Sequence, residues 1–256
     1  MKNYTYGIIP ARYASKRFPG KPLTLINGKP LIQRTYEQAS SCKLFDKLFV
    51  ATDDLRIKDL VESFGGNVLM TSLDCINGTH RILDAIKKFP ILSLAKFIVN
   101  IQCDHPCISH NSIQKVLLSL QKNPLASIST AVFPFKGKEQ AKEPNIVKCV
   151  FDNNNCALYF SRSPIPYFLS HDKNSVYYQH IGLYAFRLDF LLDLIKTPLS
   201  PQNVFNEDLE QLEWLKMGYK IAVTKVNEKD LGVDCPQDVK KIEEYLNKNI
   251  NHLLKK

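Results

Sequence analysis

The sequence lacks any apolar run approaching the roughly 18 residues that a bilayer-crossing helix needs, so membrane insertion is not expected. Its first residues, MKNYTYGIIPAR, are broken by Pro10 and Arg12 before an apolar segment of signal length develops. That argues against a secretory leader and for a cytoplasmic protein. Paired C-x-x-C spacing is missing too. The cysteines at 42, 75, 103, 107, 149, 156 and 235 are odd in number and scattered, which suits reduced thiols better than a disulfide frame or a zinc knuckle. Internal repeats and low-complexity linkers are absent. With 45% hydrophobic and 23% charged residues, the chain falls outside the disordered, collagen-like and coiled-coil classes. Its 256 residues can bury a sizeable core, as one large domain or two small ones.

Negative charge is also in short supply, since 25 Asp and Glu face 34 Lys and Arg, a formal charge of +9. Such an excess suits nucleic acid, an acidic membrane or an acidic small substrate. Its distribution helps to choose. Lys240, Lys241, Lys248, Lys255 and Lys256 are interleaved with Glu243 and Glu244, as on a solvated helix face and frayed tail. Arg12, Lys16, Arg17 and Lys21 instead form a compact group in a Pro- and Gly-containing segment without helical period, which reads as a basic loop.

Apolar runs bounded by turn residues alternate with segments of helical period, the pattern of a mostly parallel sheet covered by helices. Strands are expected at 6–9, 48–51, 68–70, 97–101 and 127–133, with helices at 32–39, 57–64, 82–89 and 113–120. After about residue 135 the rhythm changes. Two short β-like runs, 147–151 and 157–160, precede a Pro-rich turn at 163–166 and a polar stretch at 170–175, as in an inserted lobe. A strand at 180–186, helices at 189–195 and 207–217, a strand at 221–226 and a helix from Pro236 to about Asn249 follow.

A first strand running into IIPARYASKRFPGKP puts the basic loop at the carboxyl edge of a parallel sheet, where open α/β folds bind ligands. It is not a Walker A loop, which would need Gly in place of Ser15 and Ser or Thr in place of Pro22, and no G-x-G-x-x-G is present. Arg12, Arg17 and Lys21 are long cationic donors, and Ser15 and the Gly20 backbone allow close approach, so the loop suits a polyphosphate gripped by side chains. A surface loop whose cations only solubilise is the plainer alternative.

The segment 12–22 (RYASKRFPGKP) with 26–32 (INGKPLI) resembles the nucleotide-binding signature of the CMP-sugar-acid synthetase family, in particular its 3-deoxy-manno-octulosonate (Kdo) branch. VATDD at 50–54, NGTHR at 77–81, VNIQ at 99–102, ALYFSR at 157–162, HIGLY at 180–184, LEQL at 209–212 and GVD at 232–234 fall in the family's order, so the resemblance covers nearly the whole chain. It implies a Rossmann-like, mostly parallel nucleotidyltransferase sheet flanked by helices. Residues 1–256 would form a single domain, with a small inserted β-containing lobe at about 135–195 for dimer contacts.

The implied reaction transfers CMP from CTP to the anomeric hydroxyl of Kdo for lipopolysaccharide biosynthesis, releasing pyrophosphate. An 8-amino-Kdo or a neuraminate-type acid is the alternative acceptor. A homodimer is implied, with Tyr167, Phe168, Tyr177 and Tyr178 as exposed packing residues, and no nucleic acid partner.

By position, Asp104 follows a strand and Asp234 precedes a helix, so either could simply cap its neighbour. The resemblance assigns both to Mg²⁺, which usually takes one or two carboxylates together with substrate phosphates. It assigns Arg12, Ser15, Arg17, Lys21, Gly78, Thr79 and Arg81 to the nucleotide, with Arg12, Lys21, Asp104 and Asp234 as the catalytic set. Gln102, Arg162, His180, Tyr184, Glu210 and Gln211 fall to the sugar acid.

His180 and Tyr184, four apart on a strand, face the same way, and the Leu209, Leu212, Leu215 stripe turns Gln211 partly inward. Singly, His180 is more often a satisfied core histidine, Tyr184 a packing residue and Glu210 a solvated helix charge. The chain departs from the family where Q-C-D-H-P stands for the usual Q-G-D-E-P, and where His80 stands for an acid. Cys103 for glycine predicts a shifted turn if positive φ or close approach was needed. His80 and His105 predict some pH sensitivity, and a zinc site on that pair lacks a third ligand. A non-catalytic nucleotide- or sugar-binding homologue would suit these departures, but it leaves Asp104, Asp234, Lys21 and Arg12 together without a purpose.

Overall fold

The computed structural model describes residues 3–15, 17–169, 175–197, 207–228 and 231–253, the last five by backbone alone. Lys16, Lys255, Lys256 and most of the polar stretch at 170–175 therefore lie outside the described residues. The chain forms two compact units, residues 1–113 with 230–256 and residues 114–229. The lobe expected at 135–195 falls inside the second.

In the first unit, β1 (Tyr4–Ala11) leads through the basic loop to a small hairpin, β2 (Leu25–Ile26) and β3 (Lys29–Pro30). There follow α1 (Leu31–Ser40), β4 (Lys47–Thr52), α2 (Leu55–Ser63), β5 (Asn67–Met70), α3 (Gly78–Lys88), β6 (Ala95–Asn100) and α4 (His110–Lys122), which ends in the second unit. β1 pairs in parallel with both β4 and β6, and β4 with β5, so the order is β6-β1-β4-β5. Ile8, Ile9, Val50, Ala51, Ile98 and Val99 are fully buried, as strands covered on both faces require. Asp54 caps α2 by accepting from the Arg56 N–H at 2.9 Å, and Asn77 caps α3 by accepting from the His80 N–H at 2.8 Å.

The chain runs outward from β1 through β4 to β5 and then returns to the other side of β1 as β6. The order reverses between β1 and β6, and their carboxyl ends form the crevice where open parallel sheets take ligands. The loops of Arg12 and Asp104 leave from those two ends.

The second unit holds β7 (Ile128–Phe135), α5 (Lys138–Lys142), β8 (Lys148–Phe151), β9 (Ala157–Ser161), β10 (Tyr177–Arg187), α6 (Leu188–Lys196), α7 (Glu210–Lys216) and β11 (Ile221–Lys225). β7 lies between antiparallel β10 and parallel β11, and β8 bridges antiparallel to β10 and β9. The closing helix α8 (Pro236–Leu253) belongs to the first unit. One surface expectation fails. Tyr177 is only 2% exposed, because its ring stacks on Phe135 and meets Phe168 edge-on, whereas Tyr167 is 84% exposed.

Candidate functional site

The basic loop is folded on itself, with the Ser15 and Gly20 N–H groups both donating to the Tyr13 carbonyl at 2.8 and 2.9 Å. Gly20 has φ +73°, and a Cβ there would meet the Tyr13 ring at 3.2 Å, so both conformation and space call for glycine. The Arg56 guanidinium covers that ring, 3.3 Å from its centroid. From this anchor the chain turns into a short 3-10 segment, Lys21–Leu23, that aims Lys21 inward.

Lys21 Nζ donates to Asp104 Oδ2 at 2.6 Å and to the Val233 carbonyl at 2.8 Å. Arg17 donates to Asp234 Oδ1 at 2.9 Å. The two aspartates are tied together through the backbone, because the Val233 N–H donates to the Asp104 carbonyl at 2.8 Å. Residues 83 and 217 positions apart along the chain thus converge on one loop. Arg12 is exposed, with one contact to the Ile76 carbonyl at 3.3 Å.

Neither aspartate is a cap. The amides of Asp234 and Cys235, at the start of α8, both donate to Asp238 at 3.0 Å, which frees the Asp234 carboxylate for the loop. Burial raises the Asp238 carboxyl, but its hydrogen bonds to Lys241, Cys235 and those amides hold it well below the carboxylate range. At Asp104, burial likewise raises the carboxyl and is outweighed by His105 and Lys21, so it is an anion at neutral pH.

Two carboxylates beside the basic loop are hard oxygen donors and fit Mg²⁺, which needs no third protein ligand when substrate phosphates complete its shell. Among the described residues no group of three His, Cys, Asp or Glu could hold a metal alone.

The departures from the family pattern take up ordinary places. Cys103 is buried, does not have positive φ, and its carbonyl accepts from Thr35 Oγ1 at 2.8 Å, so no glycine conformation is needed there. Burial, and secondarily the Asp104 charge, push its thiol far up. Burial does the same to Cys149. Both therefore stay protonated at pH 8. Alkylation with iodoacetamide at that pH, read by peptide mass spectrometry, is expected to label the half-buried Cys107, Cys156 and Cys235 well before Cys103 and Cys149. Equal labelling of Cys103 would contradict its burial. His80 holds Asn77 Oδ1 through both its N–H and its ring Nδ1 (2.7 Å), reinforcing the start of α3. His105 Nε2 lies 3.6 Å from Asp104 Oδ1.

Gly78, the first residue of α3, leaves room beside Pro10 and the Gln102 amide, which a Cβ would meet at 3.4 and 3.5 Å. Thr79 is buried next to it. Arg81, which the resemblance assigns to the nucleotide, is 2% exposed. Its guanidinium donates to Asp53 Oδ2 at 2.7 Å and to Thr71 Oγ1 at 2.6 Å, which fastens α3 to the ends of β4 and β5. Asp53, inside the VATDD motif, was not foreseen as its partner.

In the second unit, His180 and Tyr184 come together as their spacing predicts, with ring centroids 5.4 Å apart. The bulge between Ile181 and Tyr184 adds two residues, an even number, and so preserves the face. His180 Nε2 bonds Thr130 Oγ1 at 2.9 Å, and the Tyr184 hydroxyl donates to Gln211 Oε1 at 3.2 Å. Burial, then Glu210, raise the Tyr184 phenol well above its ordinary value, so it remains a donor. Gln211 is 3% exposed, in keeping with the inward turn read from its helix, and Glu210 opens α7. Arg162 follows β9 and is held by Glu207 and Pro144.

The sequence matches the profile of the family described as Cytidylyltransferase over residues 6–229. The chain belongs to the cytidylyltransferase family. Among curated relatives, the 3-deoxy-manno-octulosonate cytidylyltransferase of Protochlamydia amoebophila is 45% identical over 96% of this chain and 95% of its own length. That of Chlamydia abortus is 46% identical over 94% and 92%. A solved CMP:2-keto-3-deoxy-manno-octonic acid synthetase complexed with CTP superposes with TM-score 0.88 at 35% identity, covering 96% of this chain and all of that one. A 4-diphosphocytidyl-2C-methyl-D-erythritol synthase from Anaerococcus prevotii, at 16% identity and TM-score 0.65, shares the fold. As a cytidylyltransferase the protein is an enzyme of CTP, with a mostly parallel α/β sheet of the kind the sequence predicts. No helix among the described residues is long and apolar enough to cross a membrane.

Proposed function

We infer that this cytidylyltransferase transfers CMP from CTP to the anomeric hydroxyl of 3-deoxy-manno-octulosonate, giving CMP-Kdo and pyrophosphate. The observation that supports it most is the convergence of Lys21 and Arg17 on Asp104 and Asp234, within a chain 45% identical over 96% of its length to a relative named for this reaction. The anomeric oxygen attacks the α-phosphorus, its bond to phosphorus forms, the bond from the α-phosphorus to the bridging oxygen breaks, and the hydroxyl proton passes to water.

Catalysis is mainly positioning and charge neutralisation. Arg12, Arg17 and Lys21 hold the phosphates and offset the charge on the departing pyrophosphate. Ser15, Gly78 and Thr79 complete the nucleotide contacts, and Arg81 acts through α3. Asp104 and Asp234 would hold Mg²⁺, which when bound lowers the pKa of the attacking hydroxyl and polarises the α-phosphate. No protein base is then required.

On the acceptor side, His180, Tyr184, Glu210 and Gln211 take hydroxyls, and Arg162 takes the carboxylate. We place the enzyme in the cytoplasm, in lipopolysaccharide biosynthesis, as a homodimer whose contacts include the exposed Tyr167 and Leu169.

The test is pyrophosphate release from CTP and Mg²⁺ with a panel of acceptors. Release with Kdo at least tenfold faster than with 8-amino-Kdo or a neuraminate, at equal subsaturating concentration, supports the assignment. A preference for either rival would reassign the acceptor.

A further inference from the structure

Two charged groups that the mechanism leaves unused, Lys148 and Glu207, lie together in the second unit. Lys148 is fully buried. Its Nζ donates to the backbone carbonyls of Arg162 and, at 3.3 Å, Glu143. The Glu207 carboxylate accepts the Ser161 hydroxyl on both oxygens, at 2.9 and 3.1 Å, and the Arg162 N–H on Oε2. A buried cation and a carboxylate therefore grip the backbone of one residue, on its carbonyl and on its amide. Burial pushes the Lys148 ammonium down, and Glu207 opposes that shift.

The held residue is Arg162, and its side chain returns to the same place. Nε donates to the Glu207 carbonyl at 2.8 Å and Nη1 to the Pro144 carbonyl at 3.0 Å, while Nη2 has no protein partner among the described residues. The guanidinium is thus fastened at two of its three nitrogens, with Nη2 left for an incoming carboxylate. Fixing an arginine before its ligand arrives removes much of the ordering cost of binding. Glu207 also starts the segment that runs through Asp208, at φ +50°, into α7 and its first residues Glu210 and Gln211.

We propose that Glu207, with Lys148 behind it, is a positioning residue for the acceptor, setting the open Nη2 of Arg162 for the sugar-acid carboxylate and coupling it to the start of α7. This rests on the acceptor reading above. Steady-state kinetics of Glu207→Gln, Arg162→Ala and the double variant, with each substrate varied in turn, test it.

Glu207→Gln is expected to raise KM for Kdo about tenfold, leave KM for CTP within about twofold, and add less than about twofold once Arg162 is Ala. Ser161→Ala, which removes one of the same bonds without touching charge, shifts KM for Kdo in the same direction by about threefold and serves if Glu207→Gln does not fold. An unchanged KM for Kdo, equal shifts in both KM values, or full additivity with Arg162→Ala would overturn the positioning role. A wild-type enzyme that releases no pyrophosphate with Kdo would overturn the acceptor reading, and the proposal with it. An active wild type with a normal Glu207→Gln overturns the proposal alone.

Discussion

Asp104→Asn is expected to lower kcat by about a hundred- to a thousandfold, up to roughly 4 kcal/mol of transition-state stabilisation. Asparagine keeps the shape and can still accept from Lys21, so the loop and the Val233 link to Asp104 stay in place. What is lost is the negative charge, which burial disfavours and which His105 and Lys21 maintain. A hard divalent cation held as proposed by Asp104 and Asp234 would then lose one of its two carboxylates, and the Mg²⁺ concentration for half-maximal rate is expected to rise. Because Arg12, Arg17 and Lys21, the cations proposed to hold the phosphates, remain, KM for CTP should change by less than about fivefold, which separates a catalytic loss from a binding loss. A variant with wild-type kcat would remove Asp104 from the chemistry.

Arg81→Met is expected to cost about 3 to 5 kcal/mol in unfolding free energy, measured from urea titration. The Arg81 and Asp53 side chains are 3% and 10% exposed, so solvent does little to screen the charge left on Asp53. Methionine fills most of the space but donates to neither Asp53 nor Thr71. Adding Asp53→Asn should recover part of the loss, since the stranded charge is then gone. The same variant loosens the start of α3, where Gly78 and Thr79 lie, so KM for CTP rises as well. A loss under about 1 kcal/mol would mean that Asp53 is not dependent on this partner.

The parallel strands were legible because they are apolar runs cut by turn residues, and β1, β4, β5 and β6 all appear within a few residues of their expected bounds. That residues 12–22 form a loop was legible from their proline, glycine and lack of helical period. Pairings between distant residues were not. Asp234 looked like a helix cap from its place before Pro236, and only the fold reveals that Asp238, four residues on, takes that work. Arg81 is assigned to the nucleotide by the resemblance alone, and its burial against Asp53 depends on how α3 packs. Tyr177 alternates with its neighbours on β10, yet which face is covered was settled by Phe135 and Phe168. Lys148 carried a signal that could have been used, because a lysine inside the apolar run of Ile146 to Phe151 must either break the strand or find buried partners.

The measurement that bears most directly on the account is phosphorus NMR of a mixture of CTP, Mg²⁺, Kdo and enzyme. The three CTP signals are expected to give way to one phosphodiester resonance and free pyrophosphate in equal amounts, and omitting Kdo is expected to leave CTP intact. CTP unchanged in the complete mixture, or consumed at the same rate without Kdo, would contradict it.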